Sequence, residues 1–273
     1  MSRRLRRHAL GALGGAIVLM FVMVGLLAPW IAPHDPLQQD VGQLLQPPSL
    51  EHPLGRDDLG RDVLSRLVVG ARASLQVSFV SIGLATVVGL AVGLVSGYWR
   101  GWLDDVLMRL MDAVYAFPTL ILAIALVGAL GPNLLNAMLA ISVVATPRFA
   151  RLVRGQVLTV REREYVEAAR VAGARDVRIV TRHILPNVLG VLAVQAALTT
   201  AFAILTESNL SFLGLGVRPP TPSWGGMLRL GYPFLEMAPW LALAPGAGIT
   251  LTVLGFSLLG DGIRDFLDPR LRR

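Results

Sequence analysis

Four long stretches without a charged side chain limit the structures open to this chain more than any other feature. They are Ala9–Ala32, Ser74–Trp99, Val188–Leu205 and Trp240–Leu259. A helix of about 20 apolar residues crosses the roughly 30 Å hydrocarbon core of a bilayer, because each residue adds about 1.5 Å. The sequence therefore predicts an all-α integral membrane protein.

A further uncharged stretch, residues 113–147, is too long for one crossing. As a single helix it would extend about 52 Å, and a Gly-Pro-Asn sequence at 131–133 interrupts it. We therefore expect two spans, Ala113–Leu130 and Leu134–Thr146, joined by a tight turn. This gives six transmembrane helices in total, and Pro118 is expected to kink the third.

The basic residues predict the orientation of these spans. The chain has 25 basic residues, all of them arginine. If the N-terminus is inside, the inner segments hold 19 arginines and the outer segments hold six. Arginine is enriched on the cytoplasmic side of membrane proteins, so both termini and residues 147–187 are predicted to be cytoplasmic. The net charge of +7 is thus interpreted as an orientation signal and not as a nucleic-acid-binding surface.

Glycine spacing in the second span predicts close helix packing. Gly89, Gly93 and Gly97 recur every four residues and therefore share one helix face. Small residues at this spacing let two helix backbones approach closely in a membrane.

Several kinds of chemistry are excluded or disfavoured. The chain has no cysteine, which excludes disulfides and thiol chemistry. It has no lysine, so it cannot form a Gly-x-x-x-x-Gly-Lys-[Ser/Thr] phosphate loop, and any ATP would be hydrolysed by another polypeptide. His8, His34, His52 and His183 are far apart in sequence, and no metal site is expected.

Two other classes of membrane protein are alternatives to consider. An ion-coupled carrier or channel usually places ionisable groups at mid-membrane, and no Asp, Glu, His or Arg lies well inside the six predicted spans. A membrane-embedded enzyme would need a nucleophile and a base, and the chain has no Gly-x-Ser-x-Gly sequence.

The charged segment at residues 159–186 is patterned as two short helices around a glycine. Its first helix is expected to end at Gly173, where a left-handed conformation has no Cβ penalty, and the second to start near Asp176. Glu167 is expected to pair with Arg163 or Arg170. Tyr165, Ala168, Ala169 and Ala172 are predicted to share one face, and Val177, Val180 and Ile184 another. Pro186 is expected to end the second helix.

These residues also carry a family resemblance. Glu167-Ala168-Ala169, three further residues and Gly173, followed by Leu185-Pro186, resemble the EAA signature of ABC importer permeases. The sequence HILPN at 183–187 is similar to the dipeptide/oligopeptide branch. His183 departs from the general pattern, which has isoleucine there. Residues 52–75, 111–120, 207–225 and 260–272 resemble further parts of the second (C-type) permease subunit, although Ser257 stands where asparagine is usual.

The resemblance implies a type I ABC importer permease fold with a cytoplasmic coupling helix that seats in an ATPase. It divides the chain into residues 1–71 (first helix and extracytoplasmic segment), 72–262 (five-helix core) and 263–273 (cytoplasmic tail). The coupling residues expected from it are Glu164, Glu167, Ala168, Ala169, Gly173, Arg175, Asp176, Val177, Arg178, His183 and Pro186.

A second set of candidate residues lies in the long outer segment 207–239. Its members are Glu207, Phe212, Gly214, Pro219, Pro220 and Trp224. They are interpreted either as a loop that docks the binding protein or gates the pore, or as a plug of turns and interfacial aromatics.

The resemblance also implies partners and a transport function. The partners are a paralogous permease, one or two ABC ATPase subunits, an extracytoplasmic substrate-binding protein and the lipid bilayer, with no nucleic acid. No cofactor is expected in this chain, since ATP and Mg²⁺ belong to the ATPases. The function implied is import of di- and oligopeptides across the cytoplasmic membrane of a prokaryote, with nickel or another small solute as the alternative.

Overall fold

The computed structural model describes residues 3–267, with the side chains of residues 9–267. Within this range the regular elements are helices, and the only β-pairing is an isolated bridge between Arg56 and Asp62. The helices are α1 (Arg3–Ile31), α2 (Val63–Trp99), α3 (Trp102–Tyr115), α4 (Thr119–Leu130), α5 (Leu134–Arg161), α6 (Glu164–Val171), α7 (Asp176–Ile179), α8 (Leu185–Phe212), α9 (Trp224–Gly231) and α10 (Trp240–Leu267).

Four helical stretches of the described chain are each long and apolar enough to cross a membrane. They are α1, α2, α10 and the continuous stretch Asp176–Phe212, which joins α7 and α8 through a π-helical turn. α1 and α2 correspond to the first and second predicted spans. The stretch Asp176–Phe212 corresponds to the fifth, and α10 to the sixth. The pair α3 and α4 forms a fifth candidate, which is bent by 92°.

This bend corrects the third predicted span. Ala113–Leu130 was expected to be one kinked helix, but α3 ends at Tyr115 and α4 begins only after Pro118. Proline has no backbone N–H and disfavours a helical conformation in the residue before it, here Phe117. The two effects together break the helix instead of kinking it.

The fourth predicted span, Leu134–Thr146, is only the first half of α5, which continues to Arg161. α5 is therefore not among the uniformly apolar helices. Two of its arginines bind acids of α3. Arg154 donates Nε and Nη2 to the two carboxylate oxygens of Asp104 at 2.6 and 2.7 Å, and Arg151 Nη2 lies 2.7 Å from Asp112 Oδ1. These pairs connect the second half of α5 to α3.

The glycine stripe of α2 makes the predicted close helix contact, and its partner is α5. A Cβ atom at Gly89, Gly93 or Gly97 would lie under 3.0 Å from the Cβ atoms of Phe149, Val153 and Val157 respectively. On the other side of the bundle, α1 packs on α10 through Gly11 and Gly262, whose backbones meet in the same way. α2, α5, α8 and α10 thus surround two buried apolar clusters.

The predicted division at residues 71 and 262 remains a prediction. Residues 263–267 of the expected tail belong to α10, and residues 268–273 lie outside the described part of the chain.

Candidate functional site

The charged segment forms an elbow, residues 162–184, between α5 and α8. α6 ends in the turn predicted from the sequence, because Gly173 has a φ of +78°. Gly173 N–H donates to the carbonyl of Arg170, and Ala174 N–H donates to that of Ala169. This pair of bonds is the Schellman motif, which turns the chain sharply at a helix C-terminus. α7 then begins at Asp176, as expected.

The two predicted apolar faces of the elbow differ in exposure. In α6 the buried residue is Val166, whereas Tyr165 and Ala168 of the first predicted face are exposed. In the second helix Ile179, Val180 and Ile184 are buried, and Val177 is 69% exposed. Residues Val180–Ile184 form a π turn that leads into α8.

The π turn explains the outcome at Pro186. A π turn bonds an N–H to the carbonyl five residues earlier, here Leu185 N–H to Val180, and the helix continues through this turn into α8. Pro186 does not end the helix as expected. It occupies the first turn of α8, where a missing N–H is tolerated.

Polar contacts fix the base of the elbow to the cytoplasmic end of α2. The hydroxyl of Tyr98 donates to Asp176 Oδ1 at 2.6 Å. Arg161 Nη1 donates to the carbonyls of Gly97 and Tyr98 at 3.2 and 2.9 Å, where a cation also suits the helix C-terminus. These partners could not be predicted from the sequence, since Tyr98 and Asp176 are far apart along the chain.

The opposite side of the elbow is open. Val171 is 85% exposed, and Tyr165 and Val177 are exposed beside it. The predicted pairing of Glu167 is wrong, because the structure places neither Arg163 nor Arg170 within 4.0 Å of its carboxylate. Of the other expected coupling residues, His183 is partly buried, while Glu164, Arg175 and Arg178 are exposed.

The second candidate set is divided by the structure. Pro219 and Pro220 lie at an exposed tip, and Gly214, with a φ of +80°, turns the chain after Phe212 at the end of α8. The aromatic-plug interpretation expects Trp224 to lie exposed at the membrane surface, but Trp224 is buried inside the protein. It is 1% exposed, and its indole N–H donates to the carbonyl of Leu67 in α2 at 3.0 Å.

Glu207 is an ionisable residue that is buried near the C-terminal end of a long apolar helix. It belongs to α8, within a helix apolar enough to cross a membrane, and is 1% exposed. Its Oε1 accepts a hydrogen bond from Ser211 at 2.7 Å. The predicted span ended at Leu205, so the sequence analysis placed this residue in the outer segment.

A cavity of about 280 Å³ lies where α2, α3, α4, α5 and α8 meet. Its lining mixes apolar side chains with Tyr115, Thr119, Arg148, Thr206 and Asn209. The Arg148 guanidinium lies 5.4 Å from the ring centre of Phe202. Sequence reasoning missed this site because its residues come from five separate helices.

Comparison with known proteins identifies the family. The model of the binding-protein-dependent transport system inner membrane component matches residues 89–273. The chain belongs to this family of ABC importer permeases. A second model, the N-terminal transmembrane domain of oligopeptide transport permease C, matches residues 1–48 of the permease.

Curated relatives match along nearly the whole permease. The dipeptide transport system permease protein DppC of Alkalihalophilus pseudofirmus is 43% identical, over 99% of this chain and 89% of the relative. The di/tripeptide permease DppC of Pseudomonas aeruginosa is 45% identical, over 97% and 90%. The glutathione transport system permease GsiD of Escherichia coli is 41% identical, over 99% and 89%.

A solved structure confirms the fold class. The inward-facing MetNI methionine ABC transporter matches with a TM-score of 0.61 at 22% identity, over 74% of this chain and 96% of the matched chain. The permease therefore has the type I ABC importer fold and is a multi-pass protein of the cytoplasmic membrane.

Proposed function

We propose that this chain is a permease subunit of an ATP-driven importer of di- and oligopeptides. Support for the substrate class comes from the relatives, which are named for dipeptide, di/tripeptide and glutathione transport. These names favour peptides over nickel or another small solute. ATP hydrolysis is assigned to separate subunits, because a chain without lysine cannot form the phosphate loop.

The single observation that carries the proposal is the two-sided elbow. Its base is held to α2 by Tyr98 and Arg161, and its other side exposes Val171 and Val177. A partner that binds the exposed side and moves will carry the attached ends of α5 and α8 with it. Rigid-body movement of this kind switches a membrane path between its two open sides.

We assign the following partners to this permease. A paralogous permease completes the membrane path, one or two ABC ATPase subunits dock on the elbow, and an extracytoplasmic binding protein delivers the substrate. ATP and Mg²⁺ bind in the ATPases, and this chain is assigned no cofactor for ATP hydrolysis.

The cavity is proposed as part of the wall of the peptide path. Its hydroxyl and amide groups from Thr119, Thr206 and Asn209 suit the peptide backbone, and Arg148 suits a peptide carboxylate. A mixed lining with few strong contacts fits a path that must release its substrate.

Docking on the elbow is tested at Val177. Val177→Glu places a charge on the exposed side without disturbing a buried residue, so the permease should insert normally but retain less ATPase during purification. We expect uptake of a labelled dipeptide, reconstituted with all subunits, to fall at least about tenfold, since desolvating a charge at an interface costs several kcal/mol. Val177→Thr has nearly the same shape and serves as the matched control.

The control should retain most of its ATPase and uptake. The wild-type permease without ATPase subunits should show neither ATP turnover nor uptake. Full ATPase stoichiometry and uptake in Val177→Glu would rule out docking at this surface.

A further inference from the structure

The segment between α1 and α2 brings together two histidines that are far apart in sequence. The ring centres of His34 and His52 lie 4.5 Å apart. One side-chain ligand atom from each of His34, Glu51 and His52 lies within 4.8 Å of the other two. This corrects the expectation that the histidines are scattered, and the proposed transport function uses none of the three residues.

His52 is oriented by a carboxylate. It is 5% exposed, and its Nδ1 lies 2.8 Å from Asp62 Oδ1. Asp62 also accepts the backbone N–H of Ser65 at 2.7 Å and so caps the N-terminus of α2. In this arrangement the Asp62 carboxylate accepts the Nδ1–H of His52.

This hydrogen bond leaves His52 Nε2 with its lone pair. Nε2 is buried and has no hydrogen-bond partner among the described residues. A buried acceptor without a partner is costly, and proteins normally provide one. An imidazole whose other nitrogen donates to a carboxylate is the usual arrangement of a metal-binding histidine. The Nδ1 atom of His34 is also buried and has no hydrogen-bond partner among the described residues.

We propose that His34, Glu51 and His52 bind a divalent first-row metal ion of the Zn²⁺ type. Two imidazoles and one carboxylate suit Zn²⁺, whereas Ca²⁺ and Mg²⁺ prefer oxygen ligands alone. Three protein ligands leave the fourth tetrahedral position for water or an external ligand.

The spacing of the ligand atoms requires only a small closure around the ion. Ligands at about 2.0–2.2 Å from a tetrahedral ion lie about 3.4 Å from one another. Glu51 is exposed and His34 is partly buried, so both side chains can move inward while His52 stays fixed by Asp62.

Metal binding would join the two ends of the segment between α1 and α2. His34 follows directly after α1, while Glu51 and His52 lie shortly before α2. The ion would close the intervening loop and hold it against the N-terminus of α2. Addition of Zn²⁺ should therefore slow proteolysis of residues 35–50.

The test uses the full-length permease in lipid nanodiscs, with an affinity tag that contains no histidine. Zn²⁺ binding is measured by equilibrium dialysis and metal analysis, and Co²⁺ is used to record the visible spectrum of tetrahedral nitrogen and oxygen ligation. We expect one Zn²⁺ per chain, with affinity at least about tenfold lower in His34→Ala and in Glu51→Gln.

Matched controls remove the same side chains elsewhere. His183→Ala and Glu236→Gln lie outside the cluster and should bind Zn²⁺ like the wild type. His52→Ala is avoided as the main variant, because it would also disturb Asp62 and the cap of α2. A metal-free thermal midpoint equal to that of the wild type will show that His34→Ala and Glu51→Gln are folded.

Two results would overturn the proposal. One is that the wild type binds no more Zn²⁺ than the double variant His34→Ala/Glu51→Gln. The other is that the control variants weaken binding as much as the cluster variants do. Either result would leave the His34–His52 contact as a packing feature that stabilises the loop.

Discussion

At the scale of single residues, Gly173 sets the geometry of the elbow. Its φ of +78° is a conformation that side chains with a Cβ rarely adopt, while the space around it is open. Gly173→Val should therefore act through the backbone alone, with a strain of about 1–3 kcal/mol. We expect the complex to insert and assemble, but peptide-stimulated ATP turnover and uptake to fall together.

Gly155 provides the matched control for this prediction. It lies in α5, is exposed, and a Cβ there would also meet open space, but its φ is not positive. Gly155→Val should keep near-normal coupling in the same reconstituted assay. Equal activity of the two variants would show that the backbone turn at Gly173 does not matter for coupling.

Arg148 is the residue on which substrate binding in the cavity can be tested. If it binds the peptide carboxylate, Arg148→Gln should raise the KM for peptide uptake about tenfold, the size expected for one lost charge-assisted hydrogen bond. ATPase binding should not change. Arg109→Gln, at an exposed position of α3 outside the cavity lining, is the control. An unchanged KM in Arg148→Gln would exclude this residue from the path.

At the scale of helices, the α2–α5 contact depends on the absence of side chains at the glycine stripe. A Cβ at Gly93 would lie 2.5 Å from Val153 Cβ and 2.6 Å from the carbonyl oxygen of Ala150. Gly93→Val should therefore force the helices apart and destabilise the permease by about 1–3 kcal/mol. The measurement is the thermal unfolding midpoint of the purified complex, which should fall.

Gly83, in the same helix, provides the control that distinguishes loss of the α2–α5 contact from a change in helix propensity. A Cβ at Gly83 would meet nothing within 4 Å. Gly83→Val therefore makes the same substitution in α2 without a clash. Its midpoint should stay near that of the wild type. Equal losses in both variants would mean that helix propensity, and not contact with α5, determines the effect.

At the scale of the whole molecule, the arginine distribution predicts that the elbow faces the cytoplasm and the α1–α2 segment faces outward. The chain has no cysteine, so single substitutions can be labelled without background. A membrane-impermeant thiol reagent added to intact cells should label Val41→Cys, whose parent side chain is 78% exposed, but not Glu162→Cys. After permeabilisation both should react. Labelling of Glu162→Cys in intact cells would reverse the topology and remove the elbow from the ATPase.

The features that the sequence determined by itself are those that depend on composition or on one backbone angle. The apolar stretches predicted the four long membrane helices, because transfer of a helix into lipid depends mainly on its own side chains. Gly173 predicted the turn after α6, because a positive φ favours glycine whatever surrounds it. Gly89, Gly93 and Gly97 predicted a close helix contact, although not that α5 would supply it.

The tertiary structure decided the features that depend on residues far apart in the chain. The acids of α3 that pair with α5, the burial of Glu207 and Trp224, and the attachment of Asp176 to Tyr98 all need a partner from another helix. The π turn before Pro186 carries the second elbow helix into α8, whereas the proline alone predicted that the helix would end. His34 and His52 became neighbours only because α1 and α2 return the chain to the same end of the bundle. Such contacts follow from how the helices pack, and no local pattern in the sequence encodes that arrangement.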